Sequence, residues 1–219
     1  KVALVVPMTS LRKTLKKVFS NVKGLSSSMV IGPSEAAKQD FDVLIVDEAH
    51  RLRQRKNITN FKSFDDTNQA LGLDKHAGTE LDWILIKAKH KILFYDEGQS
   101  IKPSDVSASK FKKIRFDATR LKLISQMRVK GGMDYINFVD NLLHGRLTKG
   151  DSFQSGGNYD LKLYDSLKQL YSDLKKKEEE LGLCRLLSGY SWEWKSAKAD
   201  IADITIEGIN LKWNSTNED

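Results

Sequence analysis

The chain has 219 residues, of which 40% are hydrophobic and 30% charged, and a formal net charge of +7. That length buries a sizeable core as one large domain or two small ones, and that balance excludes wholesale disorder. No run approaches eighteen uninterrupted apolar residues, which excludes a helical membrane span, and the five apolar residues before Pro7 are too few for the core of a secretory signal.

In chain order, VALVV at 2–6 reads as a first strand. Ser10 to Phe19 reads as a helix with Leu11, Leu15 and Val18 on one face and lysines opposite. Short apolar runs recur at 29–31 (MVI), 43–46 (VLIV) and 92–95 (ILFY). Continuous runs of Val, Ile and Leu predict strands buried on both faces, the mark of a parallel sheet. The polar stretch from Arg51 to Gly78 has no clear period and reads as a long insertion. Thr79, with Asp82 three residues on, gives a capping-box-like start to the helix TELDWILIKAK. The alternation βαβα predicts an α/β fold.

The pattern changes near residue 119. A helix is expected from Met133 to Leu143, then a polar loop with Gly156 and Gly157, a long helix ending about Leu181, and a strand over CRLLSGY. Two domains follow from this reading, 1–119 and 120–219. Trp192 and Trp194 alternate after that last strand and would share one face, where they read as core or interface packing before base stacking. The single cysteine, Cys184, makes no internal disulfide and fits a reducing, cytoplasmic setting. The chain also opens in a strand with no initiator Met, as a truncated or processed polypeptide would.

Positive charge is clustered. Arg12, Lys13, Lys16 and Lys17 form one group, Arg51, Arg53, Arg55 and Lys56 a second, and Lys110, Lys112, Lys113 and Arg115 a third. Such groups neutralise nucleic-acid phosphates and release counterions, or simply form solvated faces.

The chemistry concentrates in VLIVDEAH, residues 43–50. Four apolar strand residues deliver Asp47 and Glu48 to the carboxyl end of a strand, the edge at which parallel α/β sheets bind ligands. Phosphoryl transfer uses one carboxylate to hold magnesium and another to orient or deprotonate the attacking water. Asp47 suits the first task and Glu48 the second. The next run, ILFYDEGQSI, places Asp96, Glu97 and Gln99 just past a strand that would lie beside the first.

These segments carry a family resemblance. VLIVDEAHRL resembles a Walker B motif, helicase motif II, and FYDEGQSI resembles motif III of superfamily-one helicases. LISQMR at 123–128 resembles motif IV, and VVPMTSLRKTL at 5–15 resembles motif Ia. Their order, with GGMDYINFV and LLSGYSWEW, is similar to a bacterial family of Schlafen group 3-like DNA/RNA helicase domains, over nearly the whole chain. The resemblance implies a RecA-like parallel sheet flanked by helices, followed by part of a second RecA-like domain. It implies ATP and Mg2+ as ligands of the intact protein, with Asp47 on the metal and Glu48 as catalytic base. It makes His50 and Gln99 coupling residues, and Arg128 the arginine that stabilises transition-state charge. All except His50 would touch the nucleotide. Thr9, Ser10 and Arg12 would contact single-stranded DNA or RNA, although the two hydroxyls equally suit helix capping.

One part of the pattern is missing. A phosphate-binding loop needs Gly-x-x-x-x-Gly-Lys-Ser/Thr, and no Gly-Lys dipeptide occurs in the sequence. The expectation is therefore a helicase-like ATPase whose cradle precedes this segment, so that these residues alone hydrolyse ATP poorly or not at all. Loss of a central strand predicts self-association or altered strand pairing. A nucleotide switch for protein partners and a non-catalytic nucleic-acid-binding module are the alternatives.

Overall fold

In a computed structural model, residues 1–123, 129–153, 159–189 and 192–213 are described. The chain divides into two compact units, Lys1–Lys122 and Leu123–Asp219.

The first unit is built on a four-stranded, all-parallel sheet. Strands β1 (Val2–Val5), β2 (Val30–Ile31), β3 (Phe41–Val46) and β4 (Ala88–Leu93) take the order β2-β1-β3-β4. Helix α1 (Thr9–Ser20) joins β1 to β2, and the short α2 (Pro33–Ala36) follows β2. Helices α3 (Phe61–Ala70) and α4 (Glu80–Lys87) lie between β3 and β4, and α5 (Ala108–Ile114) comes after β4. The α/β expectation and all four apolar runs are thus realised, with β4 starting four residues earlier than its apolar run, over Lys89, His90 and Lys91.

Side chains alternate across each strand. Ala3, Val5, Leu44 and Val46 point to one face and meet Ala36, Leu81, Ile84 and Phe111 in a closed core. Parallel crossovers are right-handed, so α1, on the connection running from β1 outward to β2, lies on the face opposite α2 and α4. That second face is thinly covered. The register aligns Val2 with Val43, Leu4 with Ile45 and Ile45 with Ile92, and Val2 and Ile92 remain 44% and 50% exposed.

Thr79 caps α4 as its sequence predicts: the hydroxyl accepts the Asp82 N–H, and the Asp82 carboxylate accepts the Thr79 N–H at 2.8 Å. The stretch expected to be an insertion contains α3, capped by the Asn60 side chain. It packs Phe64 on Trp83, whose indole N–H donates to buried Asn68 at 2.6 Å.

In the second unit, α6 (Gly132–Leu143) and α7 (Leu167–Leu181) match the expected helices. Strands β5 (Ile204–Ile206) and β6 (Ile209–Leu211) form an antiparallel hairpin, turned by Glu207 and Gly208 with positive φ at both positions. The strand expected over CRLLSGY is a correction: residues 184–189 form no strand. A short apolar run paired with nothing cannot hold extended structure by composition alone. The argument that Trp192 and Trp194 share a strand face falls with it. Trp192 instead lies 6.5 Å from Trp213, ring centre to ring centre.

Candidate functional site

The carboxyl ends of the four parallel strands form one edge, and most of the residues singled out in the sequence gather there. Asp47 follows β3, its N–H held by the Val5 carbonyl of β1 at 3.0 Å. Its Oδ1 accepts the Glu48 N–H at 3.1 Å. Glu48 has φ 50° and ψ 46°, a left-handed conformation unusual for a non-glycine residue. That turn swings the chain away from the strand axis and aims the following short helical turn, Ala49–Arg51, across the end of β4. The Ala49 N–H donates to the Phe94 carbonyl at 2.7 Å, which fixes the two strand ends together.

His50 is the hinge of this arrangement. Its side chain is 2% exposed, and Nε2 lies 2.9 Å from a Glu48 carboxylate oxygen. The approach is close but poorly aligned, so it is an electrostatic contact and not a formed hydrogen bond. On the other side of the ring, Nδ1 accepts the Asp96 N–H at 3.4 Å, which leaves the ring proton on Nε2, facing Glu48. Asp96 accepts the Gly98 N–H and the Gln99 side-chain amide at 3.0 and 2.8 Å. A path of contacts therefore runs from Glu48 through His50 to the Asp96 backbone, whose own carboxylate holds Gln99. Glu97 turns away to Arg115 and Lys112. Tyr95 stacks on Phe111, and its buried hydroxyl has no partner; burial raises its pKa above the ordinary phenol value, with the Glu97 charge adding to the effect.

Thr9, Ser10 and Arg12 sit at the end of β1, the strand beside β3. The helix begins at Thr9, and Met8 in the cap position offers no side-chain acceptor, so neither hydroxyl caps it. Arg12 donates to the Val6 carbonyl at 2.8 Å, and its guanidinium packs against Gly32, where a Cβ would come within 2.6 Å of Nη1. Arg128 lies outside the described residues.

The three basic clusters separate sharply. In the second, Arg51 pairs with Asp105 and Arg55 with Asp65. In the third, Lys110 pairs with Asp82, while Lys112 and Arg115 share Glu97. Lys13, Lys16 and Lys17 of α1 make no ion pair among the described residues, and neither do Arg53, Lys56 and Lys113, so α1 is the helix that carries three unpaired lysines together.

Sequence reasoning missed a cleft of about 430 Å3 at the ends of β1 and β2. It brings together Thr9, Arg12 and Lys16 of α1, Glu35, Arg53 and Glu80. Glu35 accepts the Gly32 N–H at 2.6 Å, and Glu80 accepts the Arg53 N–H at 2.8 Å. Burial raises the Glu80 carboxyl to about 7, against the opposing effect of the Arg53 N–H and the Arg53 and Arg12 charges. The one signal in the sequence was Glu80 as the first residue of a capped helix.

A family model described as Schlafen group 3, DNA/RNA helicase domain, matches residues 6–219. The chain belongs to this family of helicase domains. An uncharacterized protein of Saccharomyces cerevisiae is 23% identical over 239 aligned positions, which take in 96% of this chain and 50% of the relative. The chain thus spans about half the length of the curated relative it matches, and that relative, from yeast, carries no restriction of the match to bacteria. No solved structure matches the chain. In the Schlafen group 3 helicase domain described here, no helix among the described residues is long and apolar enough to cross a membrane.

Proposed function

We propose that this helicase domain is the central part of a nucleic-acid-dependent, cytoplasmic ATPase in which Asp47 holds magnesium and Glu48 activates the attacking water. The observation that carries the reading is the path Glu48–His50–Asp96–Gln99 along the carboxyl edge. It joins a candidate base to a polar side chain suited to sensing a γ-phosphate. Magnesium keeps several waters and takes one or two carboxylates together with substrate phosphates. Asp47 alone therefore fits the role, whereas among the described residues no group of three or more His, Cys, Asp or Glu could cage a metal. When bound, the ion would polarise the phosphoryl oxygens. Arg128, in a second RecA-like part beginning near residue 120, would neutralise charge on the transferring group.

The phosphate cradle is absent from the sequence, and the sheet suggests where one would join. Among the described residues the outer edge of β4 is unpaired, and the face bearing Val2 and Ile92 is thinly covered. A strand leading into β1 and pairing with β4 would run back in the same direction as the β1-to-β2 connection. Right-handed crossover then lays its helix on the thinly covered face. On this reading the 219 residues alone do not turn over ATP.

The test is ATP hydrolysis by the whole polypeptide that contains these residues, with and without single-stranded nucleic acid. Turnover stimulated by the strand and abolished by Glu48→Gln is expected. Strand binding without any turnover would replace the reading with a non-catalytic binding module, and turnover indifferent to nucleic acid with a nucleotide switch.

A further inference from the structure

The cleft beside α1 combines two features that one ligand must satisfy together. Arg12, Lys16 and Arg53 bring three positive charges, and α1 opens beside them with uncapped N–H groups. Glu80 lines the same cleft at 7% exposure. Among the described residues none of the three cations forms an ion pair with it, and only one of its oxygens has a partner, the Arg53 N–H. A carboxylate can only accept hydrogen bonds, and the second Glu80 oxygen, which is not sealed from the cleft, is free to accept one from a ligand. The complement is therefore an anion that also carries a hydrogen-bond donor. The volume of about 430 Å3 lies within the usual range for small-ligand sites, about 300–1,000 Å3.

The geometry points to a one-nucleotide subsite, in which a phosphate lies against Arg12, Lys16 and Arg53 and the exocyclic amino group of adenine, cytosine or guanine donates to Glu80. The inference rests on the nucleic-acid reading above and deepens it. Thymine and uracil have no exocyclic amino group. Their ring N–H is flanked by two carbonyl oxygens whose lone pairs repel a carboxylate. The cleft would thus distinguish amino-bearing bases from thymine, while the lysines of α1 outside it, Lys13 and Lys17, grip the backbone of any sequence.

The measurement is fluorescence anisotropy of the 219-residue chain with labelled twelve-nucleotide oligo(dC), oligo(dA) and oligo(dT) near pH 8. Oligo(dC) and oligo(dA) should bind roughly tenfold more tightly than oligo(dT), the worth of one charge-assisted hydrogen bond. Glu80→Gln keeps an acceptor for the Arg53 N–H and should abolish the preference without weakening oligo(dT). A second readout needs no variant. Protonation of Glu80, flanked by Arg12, Lys16, Arg53 and Glu35, should shrink the wild-type preference between about pH 8 and pH 6. Equal binding of all three oligomers, or a preference that survives both Glu80→Gln and low pH, overturns the subsite and leaves the nucleic-acid reading standing. Failure to bind any oligomer overturns that reading and the subsite with it.

Discussion

His50 Nε2 lies 2.9 Å from the Glu48 carboxylate, and the histidine side of this approach is almost fully buried. The alignment is imperfect, as catalytic contacts often are before a ligand tightens them. In the proposed reaction His50 would act as a positioning residue for Glu48 and as the link to Asp96. In the whole polypeptide, His50→Gln should lower kcat for ATP roughly tenfold to a hundredfold with little change in KM. Glu48→Gln should cost about a hundredfold or more. Steady-state kinetics with nucleic acid present separate the two, and equal effects on KM would assign His50 to ligand binding instead.

Glu80 makes stability fall as pH rises. Its carboxyl titrates at about 7 in the fold against an ordinary value of 4.5, so the folded state holds the extra proton between those values. The contribution of Glu80 to stability is fully present below about 4.5 and is lost as pH climbs through 7, to a limit of about 3 kcal/mol. Glu80→Gln removes the ionisation. Its Tm should exceed that of the wild type near pH 8, and the gap should close near pH 5. A constant gap would mean that Glu80 does not titrate in this window.

On the proposed reading, the unpaired lysines of α1 would set the salt dependence of strand binding. Removing one lysine–phosphate pairing lowers the slope of log K against log salt by about 0.7 for a single strand. Lys13→Ala with Lys17→Ala should lower the slope by about 1.4. Lys112→Ala, whose ammonium faces Glu97, should leave it nearly unchanged. Titrations at several salt concentrations distinguish the two variants.

The cap on α4 is local and separable from function. Thr79→Ala removes the acceptor of the Asp82 N–H and should cost about 1 kcal/mol in a denaturant melt. No change would mean that Lys110, which also reaches Asp82 at 2.8 Å, holds the turn without the hydroxyl.

What the sequence revealed was whatever depends on neighbours in the chain. The Thr79–Asp82 box, the four apolar runs and the helix of Gly132–Leu143 all rest on local periodicity or capping. The place of Asp47 and Glu48 was legible because an apolar run that stops at a carboxylate pair marks where a buried strand ends. The start of β4 was hidden because its outer edge faces water and tolerates Lys89, His90 and Lys91. Helix α3 was hidden because, apart from Phe64, its buried residues are polar, with Asp65 bound to Arg55 and Asn68 bound to Trp83. The cleft could not be read at all. Residues 12, 16, 35, 53 and 80 meet only because β3 crosses to the far side of β1 from β2.

The unpaired edge of β4 has a preparative consequence. Two copies pairing there across a twofold axis would bring their Lys91 ammonium groups together, Lys89 being already paired to Asp42, and lysine is a standard defence of exposed strand edges. That defence is electrostatic and fades within a Debye length of about 3 Å in molar salt. The buffers that would strip nucleic acid from α1 on the proposed reading are therefore the ones that disarm β4. Purification at high salt should yield clean protein that clusters on standing, and return to low salt should disperse it.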